Sequence, residues 1–132
     1  MLRKYIAEDE VLLDDLLKAD GSTITRVKDS KIPTANTYIF EKDGNIQGFF
    51  TWEMMDNGEP FINHLYVFSE FRGKFSNILW KLLVSTIKMK GFTHTFVSAI
   101  KGDSMNRLYR KRFKIKPFRE TEDENIYYLP LR

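Results

Sequence analysis

Two turn signatures set the frame for this chain. Asp43-Gly44 and Asn57-Gly58 each lie between runs rich in apolar and β-branched residues: Thr37 to Glu41, Ile46 to Met54, and Pro60 to Phe68. Asp-Gly and Asn-Gly tolerate the positive φ angles of tight hairpins, so the three runs read as an antiparallel meander. Within the third run, Phe61, His64, Tyr66 and Phe68 do not share one parity, which implies that both of its faces are covered. Next, Phe75 to Lys90 carries Ile78, Leu79, Leu82, Leu83, Thr86 and Ile87 at i, i+3, i+4 spacing, the pattern of an amphipathic helix. Ser76 or a neighbour is placed to cap its start, Gly91 is placed to end it, and Phe92 to Ile100 reads as the following strand. A strand, helix, strand unit of this length implies a right-handed parallel crossover.

The two ends complete the element order. Residues 1 to 6 read as a strand. Glu8-Asp9-Glu10 opens a helix with acids where the macrodipole favours them, Val11, Leu12, Leu13, Leu16 and Leu17 supply its apolar face, and Asp20-Gly21 ends it. Residues 22 to 30 are ambiguous, with a short helix capped by Ser22 as one reading, and Pro33 breaks any regular element beyond it. Asp103 or Ser104 caps a further helix to Arg112. Lys114 to Glu120 and Asn125 to Leu131 read as a closing hairpin across the acidic turn Thr121-Glu122-Asp123-Glu124. The expected architecture is one α+β domain over residues 1–132, sandwich-like (α/β/α), with a mixed, mostly antiparallel central sheet and about four helices.

Composition narrows the function classes. A hydrophobic content of 42% and an aromatic content of 14% are globular values. No apolar run approaches the roughly 20 residues needed to cross a bilayer, and Met1-Leu2-Arg3-Lys4-Tyr5-Ile6 has no apolar leader core. A cytoplasmic protein without a membrane partner is the simplest expectation. The absence of cysteine excludes disulfides, thiolate metal sites and a cysteine nucleophile. Neither His64 nor His94 has metal-ligand spacing with acids, so no metal is expected. His94, at a strand start, reads as structural. No phosphate-binding P-loop, dinucleotide fingerprint or nucleophilic serine motif occurs.

The net charge of +3 conceals an asymmetry. Residues 72–119 hold 13 of the 21 Lys and Arg and a single acid, Asp103, a local charge of +12; the remaining residues hold 8 basic and 17 acidic side chains, a charge of −9. A polyanionic ligand near the C-terminal half is implied, CoA or nucleic acid being the two candidates. The alternative is a solvated basic helix face.

Two segments then belong together. Leu65-Tyr66-Val67-Phe68-Ser69-Glu70-Phe71-Arg72-Gly73-Lys74, running into Asn77-Ile78-Leu79-Trp80, is followed by Ser104-Met105-Asn106-Arg107-Leu108-Tyr109-Arg110-Lys111-Arg112-Phe113. In that order and separation they resemble the signature segments of the GNAT superfamily of acyl-CoA-dependent N-acyltransferases. The element order resembles the GNAT order as well. The resemblance implies acetyl-CoA as acyl donor, an amine as acceptor and direct attack in a ternary complex. It implies that Leu65, Tyr66 and Val67 with Arg72, Gly73, Lys74, Phe75, Ser76 and Asn77 hold the donor. The family loop resembles Arg-x-x-Gly-x-Gly/Ala, whose backbone N–H groups cradle a pyrophosphate at a helix N-terminus. Here Phe75 and Asn77 stand where small residues are expected.

The second segment resembles the family's Leu-Tyr-Glu-Lys-x-Gly-Phe. By that resemblance Tyr109 protonates the departing thiolate and Asn106 contacts the pantetheine arm. The arm would enter a slot between residues 62–68 and 95–100. His64, whose ordinary pKa of about 6.5 suits proton removal at neutral pH, and Glu53, acting through water, are the candidate bases. Asn63 is placed to orient that water. Three readings stay open: an N-acetyltransferase of an unidentified amine, a GNAT scaffold that has lost transfer and acts as a binding module, and an enzyme resembling phage Mom-type base-modifying proteins. A homodimer is an open expectation.

Overall fold

The computed structural model describes residues 1–21, 36–73, 76–102, 104–111 and 113–131. Strand β1 (Leu2–Lys4) leads into helix α1 (Asp9–Ala19), and the meander follows as β2 (Thr37–Lys42), β3 (Asn45–Met54) and β4 (Pro60–Val67). A 3-10 turn, Ser69–Phe71, joins β4 to helix α2 (Ser76–Met89), which crosses to β5 (His94–Ile100). Helix α3 (Ser104–Lys111), β6 (Arg119–Glu120) and β7 (Glu124–Pro130) complete the chain. The strands form one sheet of seven in the order β1-β2-β3-β4-β5-β7-β6. Only β4 and β5 run parallel; every other neighbouring pair is antiparallel. This is the mixed sheet that the meander and crossover imply. The helix read at residues 22–30, with Ser22 and Pro33, lies outside the described residues.

Local chemistry explains the turns. Asp43 and Gly44 both adopt positive φ, +54° and +79°, the pairing that a two-residue hairpin requires. Gly91 ends α2 at φ +96°, its N–H donating to the Lys88 carbonyl at 2.9 Å. The closing hairpin is shorter than its sequence suggests. Lys114 sits at φ +55°, and the Ile115 N–H turns back to the Tyr109 carbonyl at 3.2 Å. A left-handed residue cannot continue a ladder, so pairing with β7 begins only at Arg119.

The helices divide between the two faces of the sheet. Leu79, Leu83 and Ile87 of α2, at i, i+4, i+8, are buried with Phe50, Trp52, Ile62 and Val67 on one face, and Tyr109 of α3 joins Val97, Tyr127 and Leu129 there. On the other face Leu13 and Leu17 of α1 pack with Tyr5, Ile39, Phe49 and Phe68. Helix geometry turns Val11 and Leu12 away from that contact, so both are exposed rather than part of the apolar face expected of them. Asp9 anchors the start of α1. Arg3 of β1 donates two hydrogen bonds of 2.8 Å to its carboxylate, and the Ile6 N–H donates a third at 2.8 Å. The Arg3 contact holds the Asp9 pKa below its ordinary value against the opposing effect of burial. A paired fork of this kind resists removal of either partner, because the survivor keeps its desolvation cost.

One departure repositions the centre of the molecule. Thr51 pairs with His64, but the next residue, Trp52, pairs with Ile62. Asn63 is therefore an extra residue on β4, a β-bulge. Alternation restarts there, which returns Phe61, His64, Tyr66 and Phe68 to the face that α1 covers. Their broken parity comes from the bulge, and both faces of β4 are covered as expected, Ile62, Leu65 and Val67 on the α2 side and Tyr66 and Phe68 on the α1 side.

Candidate active site

β4 and β5 touch at only two register positions, Phe61↔Phe96 and Ile62↔Val97. Beyond them each strand stays bound to its outer neighbour. β4 follows β3 to Gly48↔Val67, and β5 follows β7 to Ile100↔Glu124. The two strands part like the arms of a V, and the inner edge of β4 from Asn63 onward has no ladder partner in β5. A buried backbone edge needs hydrogen-bond partners, and here it faces an open slot between residues 63–67 and 98–100. The bulge at Asn63 lies where the parting begins, as bulges do where pairing is terminated.

Several of the residues singled out by sequence lie on β4 where it parts from β5, or on its other neighbour β3. On the α1 face, Asn63 and His64 stand on β4, with Thr51 opposite His64 and Glu53 opposite Phe61 on β3. Thr37 extends this row through its pairing with Thr51. Thr37 and Thr51 are fully buried, and their hydroxyls, together with the Asn63 amide nitrogen, lack a hydrogen-bond partner. Unpartnered buried polar groups are costly. The sequence does not reveal this row beside the slot, because single threonines carry no signal. Burial lowers the His64 pKa below its ordinary value, so the imidazole is neutral at neutral pH.

That burial has a measurable consequence. A histidine whose folded pKa is depressed contributes stability that is complete above the unfolded value of about 6.5 and is lost as pH falls through the folded value. Thermal melting should therefore weaken from about pH 7 to pH 5, and His64→Gln should flatten that slope. An equal slope in the variant would show that His64 does not carry it.

The loop after β4 is organised around an acid. Asp20, at the end of α1, accepts a 2.5 Å hydrogen bond from the Tyr66 hydroxyl and two of 3.2 Å from the Ser69 N–H. Burial works to raise the Asp20 pKa, but these bonds and Arg72 outweigh it and the value is lowered. Arg72 donates from Nε to the Val67 carbonyl at 2.8 Å, lies 5.3 Å from the centre of the Tyr66 ring and is 3.6 Å from Asp20. The structure thus ties Arg72 and Tyr66 to the loop's own framework. Sequence reading gave Asp20 only the role of ending a helix. Gly73 adopts φ +88°, a conformation that suits glycine, and turns the chain into α2. Lys74 and Phe75 lie outside the described residues, and the backbone of Ser76 and Asn77 forms the first turn of α2. Leu65 and Val67 pack on the α2 side.

Across the sheet, Tyr109 is buried, its ring 4.8 Å from Tyr127 and 6.2 Å from Phe113. The Asn106 Oδ1 accepts hydrogen bonds from the Asn125 amide at 2.9 Å and the Tyr127 hydroxyl at 2.8 Å. Asn106 is thereby fastened to β7, one strand beyond the slot. His94 contacts Glu59 and stacks on Tyr128 at 5.0 Å, at the end of β5 that precedes its pairing with β4. Among the described residues no group of three or more His, Asp or Glu could hold a metal ion, and no helix is long and apolar enough to cross a membrane.

No protein-family model matches the sequence, and no curated protein matches it significantly. Solved structures do match the fold over nearly its whole length. The PaiA N-acetyltransferase of Thermoplasma acidophilum in complex with coenzyme A superposes with a TM-score of 0.77 at 17% identity, covering 98% of each chain. The ribosomal-protein-S18-alanine N-acetyltransferase of Escherichia coli gives 0.74 at 9% identity, covering 99% of this chain and 93% of that one. An N-acetyltransferase from Staphylococcus aureus Mu50 gives 0.68 at 19% identity over 100% and 98%. The chain has the fold of these N-acetyltransferases and of solved GNAT-family acetyltransferases.

Proposed function

We propose that the chain is an acetyl-CoA-dependent N-acetyltransferase acting on an amine by direct attack. The observation that carries this reading is the parting of β4 and β5 after two register pairs, on a fold that a solved relative uses with coenzyme A bound. The unpaired edge of β4 and the orphaned Asn63 amide fit a ligand that brings its own amide and carbonyl groups into the slot.

The acyl donor supplies the acetyl group as a thioester. The inner edge of β4 offers backbone N–H groups to polarise its carbonyl. His64, neutral through burial, takes the proton of the attacking amine, directly or through water held by Glu53 and Asn63. A carbon–nitrogen bond forms and the carbon–sulfur bond breaks. Tyr109 gives a proton to the departing thiolate and recovers one from solvent. The leading turn of α2, with Gly73 before it, presents N–H groups to the donor's phosphates, and Ser76 and Asn77 sit in that first turn.

Calorimetric titration with acetyl-CoA tests this directly. Binding of one equivalent at micromolar affinity is the expected result, corresponding to about −8 kcal/mol. No detectable heat or displacement at millimolar acetyl-CoA would overturn the reading and leave an inherited scaffold that has lost its donor.

A further inference from the structure

We propose that the outer face of α3 and the segment after it form a docking surface for the phosphate backbone of a nucleic acid. The inference does not depend on acyl transfer. α3 buries Tyr109 and turns Arg107, Arg110 and Lys111 to solvent. The left-handed Lys114 then folds the chain back on the helix, so that Lys114 and Lys116 are exposed on either side of a half-buried Ile115. Two open basins share Arg110 as a wall. One, of about 440 Å³, runs past Asn106 and Arg107 to Asn125; the other, of about 430 Å³, is lined by Lys114, Ile115, Lys116 and Pro117.

None of these five cations has a carboxylate partner among the described residues, where the ion pairs are Arg3 with Asp9 and Glu41, Arg72 with Asp20, and His94 with Glu59. Residues 104–119 contain no acid; Asp103, just before α3, lies outside the described residues, and Glu120 and the Glu122-Asp123-Glu124 turn follow beyond the ridge, where the Lys101 N–H donates to the Asp123 carbonyl.

Position separates this ridge from the slot. Asn125, in the floor of the first basin, belongs to β7, and β5 stands between β7 and the parting of β4. The donor loop leads into α2, a different helix. A cofactor in the slot therefore leaves the ridge cations unneutralised. The eight residues of α3 rise about 12 Å, which spans roughly three or four phosphates at about 3.4 Å of axial rise per nucleotide. Three cations on the helix and two on the segment that folds back beside it suit a phosphate backbone. A protein partner fits less well, because protein interfaces are depleted in lysine and centre on large apolar anchors, whereas here only the half-buried Ile115 and Pro117 stand among the cations.

The test is fluorescence anisotropy with a labelled single-stranded DNA of about 20 nucleotides and a duplex of equal length, titrated from about 50 to 300 mM salt. Binding should weaken with salt at a log–log slope near −3 for the duplex, from about −0.9 per phosphate contacted. The variant Arg107→Gln/Arg110→Gln/Lys111→Gln should weaken binding at least tenfold and reduce the slope by about 2. Lys81→Gln/Lys88→Gln on the outer face of α2 should change it less than about twofold. Arg110→Gln alone, at the shared wall, gives a smaller shift in the same direction if the triple variant does not fold. Saturating acetyl-CoA should leave DNA affinity unchanged. The proposal is overturned by no binding at low salt, by equal losses in the α2 control, by displacement with acetyl-CoA, or by equal affinity for polyglutamate or phosphatidylserine vesicles.

Discussion

Tyr109→Phe is expected to slow acetyl transfer by roughly 10²–10⁴-fold, the range for loss of a general acid, while acetyl-CoA affinity stays within about threefold. The substitution keeps the ring, and the ring is what the structure shows packed. Tyr109 is 7% exposed, lies 4.8 Å from Tyr127 and closes a stack that continues through Phe113 to Trp80 of α2. Stability should therefore fall by no more than about 1 kcal/mol, the net worth of one hydroxyl's hydrogen bonding. The separation of these readouts is what makes the experiment decisive. A residue that merely fills the core would lose stability and turnover together or leave both unchanged. A large drop in turnover at constant melting temperature and constant donor affinity identifies the hydroxyl itself. If turnover is retained, Tyr109 leaves the mechanism, and thiolate protonation must come from elsewhere.

Gly48→Ala is the second large effect, and it concerns placement instead of chemistry. The two informative glycines are required for different reasons. Gly73 is held by its dihedral angle, φ +88°, with nothing within 4 Å of an added Cβ. Gly48 has ordinary dihedrals, but a Cβ there would lie 2.5 Å from the Tyr66 carbonyl oxygen, 2.9 Å from a Leu79 methyl and 3.3 Å from the Val67 Cα. Leu79 can rotate away; the carbonyl of a ladder-bound strand cannot. Replacing glycine normally gains about 0.4–1 kcal/mol through the unfolded chain, whereas forced overpacking costs about 1–3 kcal/mol and sometimes more. Overpacking wins, and a net loss of about 2 kcal/mol, or roughly 5–10 °C in melting temperature, is expected. Because Tyr66 and Val67 form the end of β4 that leads to the loop before α2, the displaced strand end carries that loop with it. Acetyl-CoA affinity should then fall at least tenfold even at temperatures where the variant is fully folded. Unchanged melting and unchanged affinity would show that the sheet yields at Gly48 without moving the end of β4.

The elements that were legible in the sequence are those whose signal is local. Asp43-Gly44 fixed a hairpin because only a few residue types accept two successive positive φ angles. α2 was legible because Leu79, Leu83 and Ile87 repeat at the helical period and are the residues buried. The ends of β6 were misjudged because one left-handed residue, Lys114, interrupts a pattern that otherwise alternates. The site was less legible, since it is made by pairings between distant strands. The broken parity of β4 was visible, yet a bulge and a two-sided strand give the same pattern until the register to β3 is known. Asp20 looked like a helix terminator, because nothing in its neighbourhood announces that Tyr66, 46 positions away, will donate to it. Gly48 carried no signal, because its constraint is the close approach of the β4 backbone at Tyr66 and not its own dihedral angles.

The V between β4 and β5 also decides where the molecule is most sensitive to its surroundings. Four strands lie on one side of that line and three on the other, and backbone bonding crosses it at two register positions. Cohesion across it falls instead to side chains: Phe50, Trp52 and Ile62 from one half and Val97, Tyr127 and Leu129 from the other, gathered beneath α2 and α3. Apolar cohesion weakens on cooling and strengthens with excluded cosolvents, in contrast to the ladders within each half, which carry paired backbone groups. The width of the mouth is therefore set by the solvent-dependent component of the fold. Cold and mild denaturant should act there before they act on either half-sheet, and sucrose or sulfate should hold the two halves together.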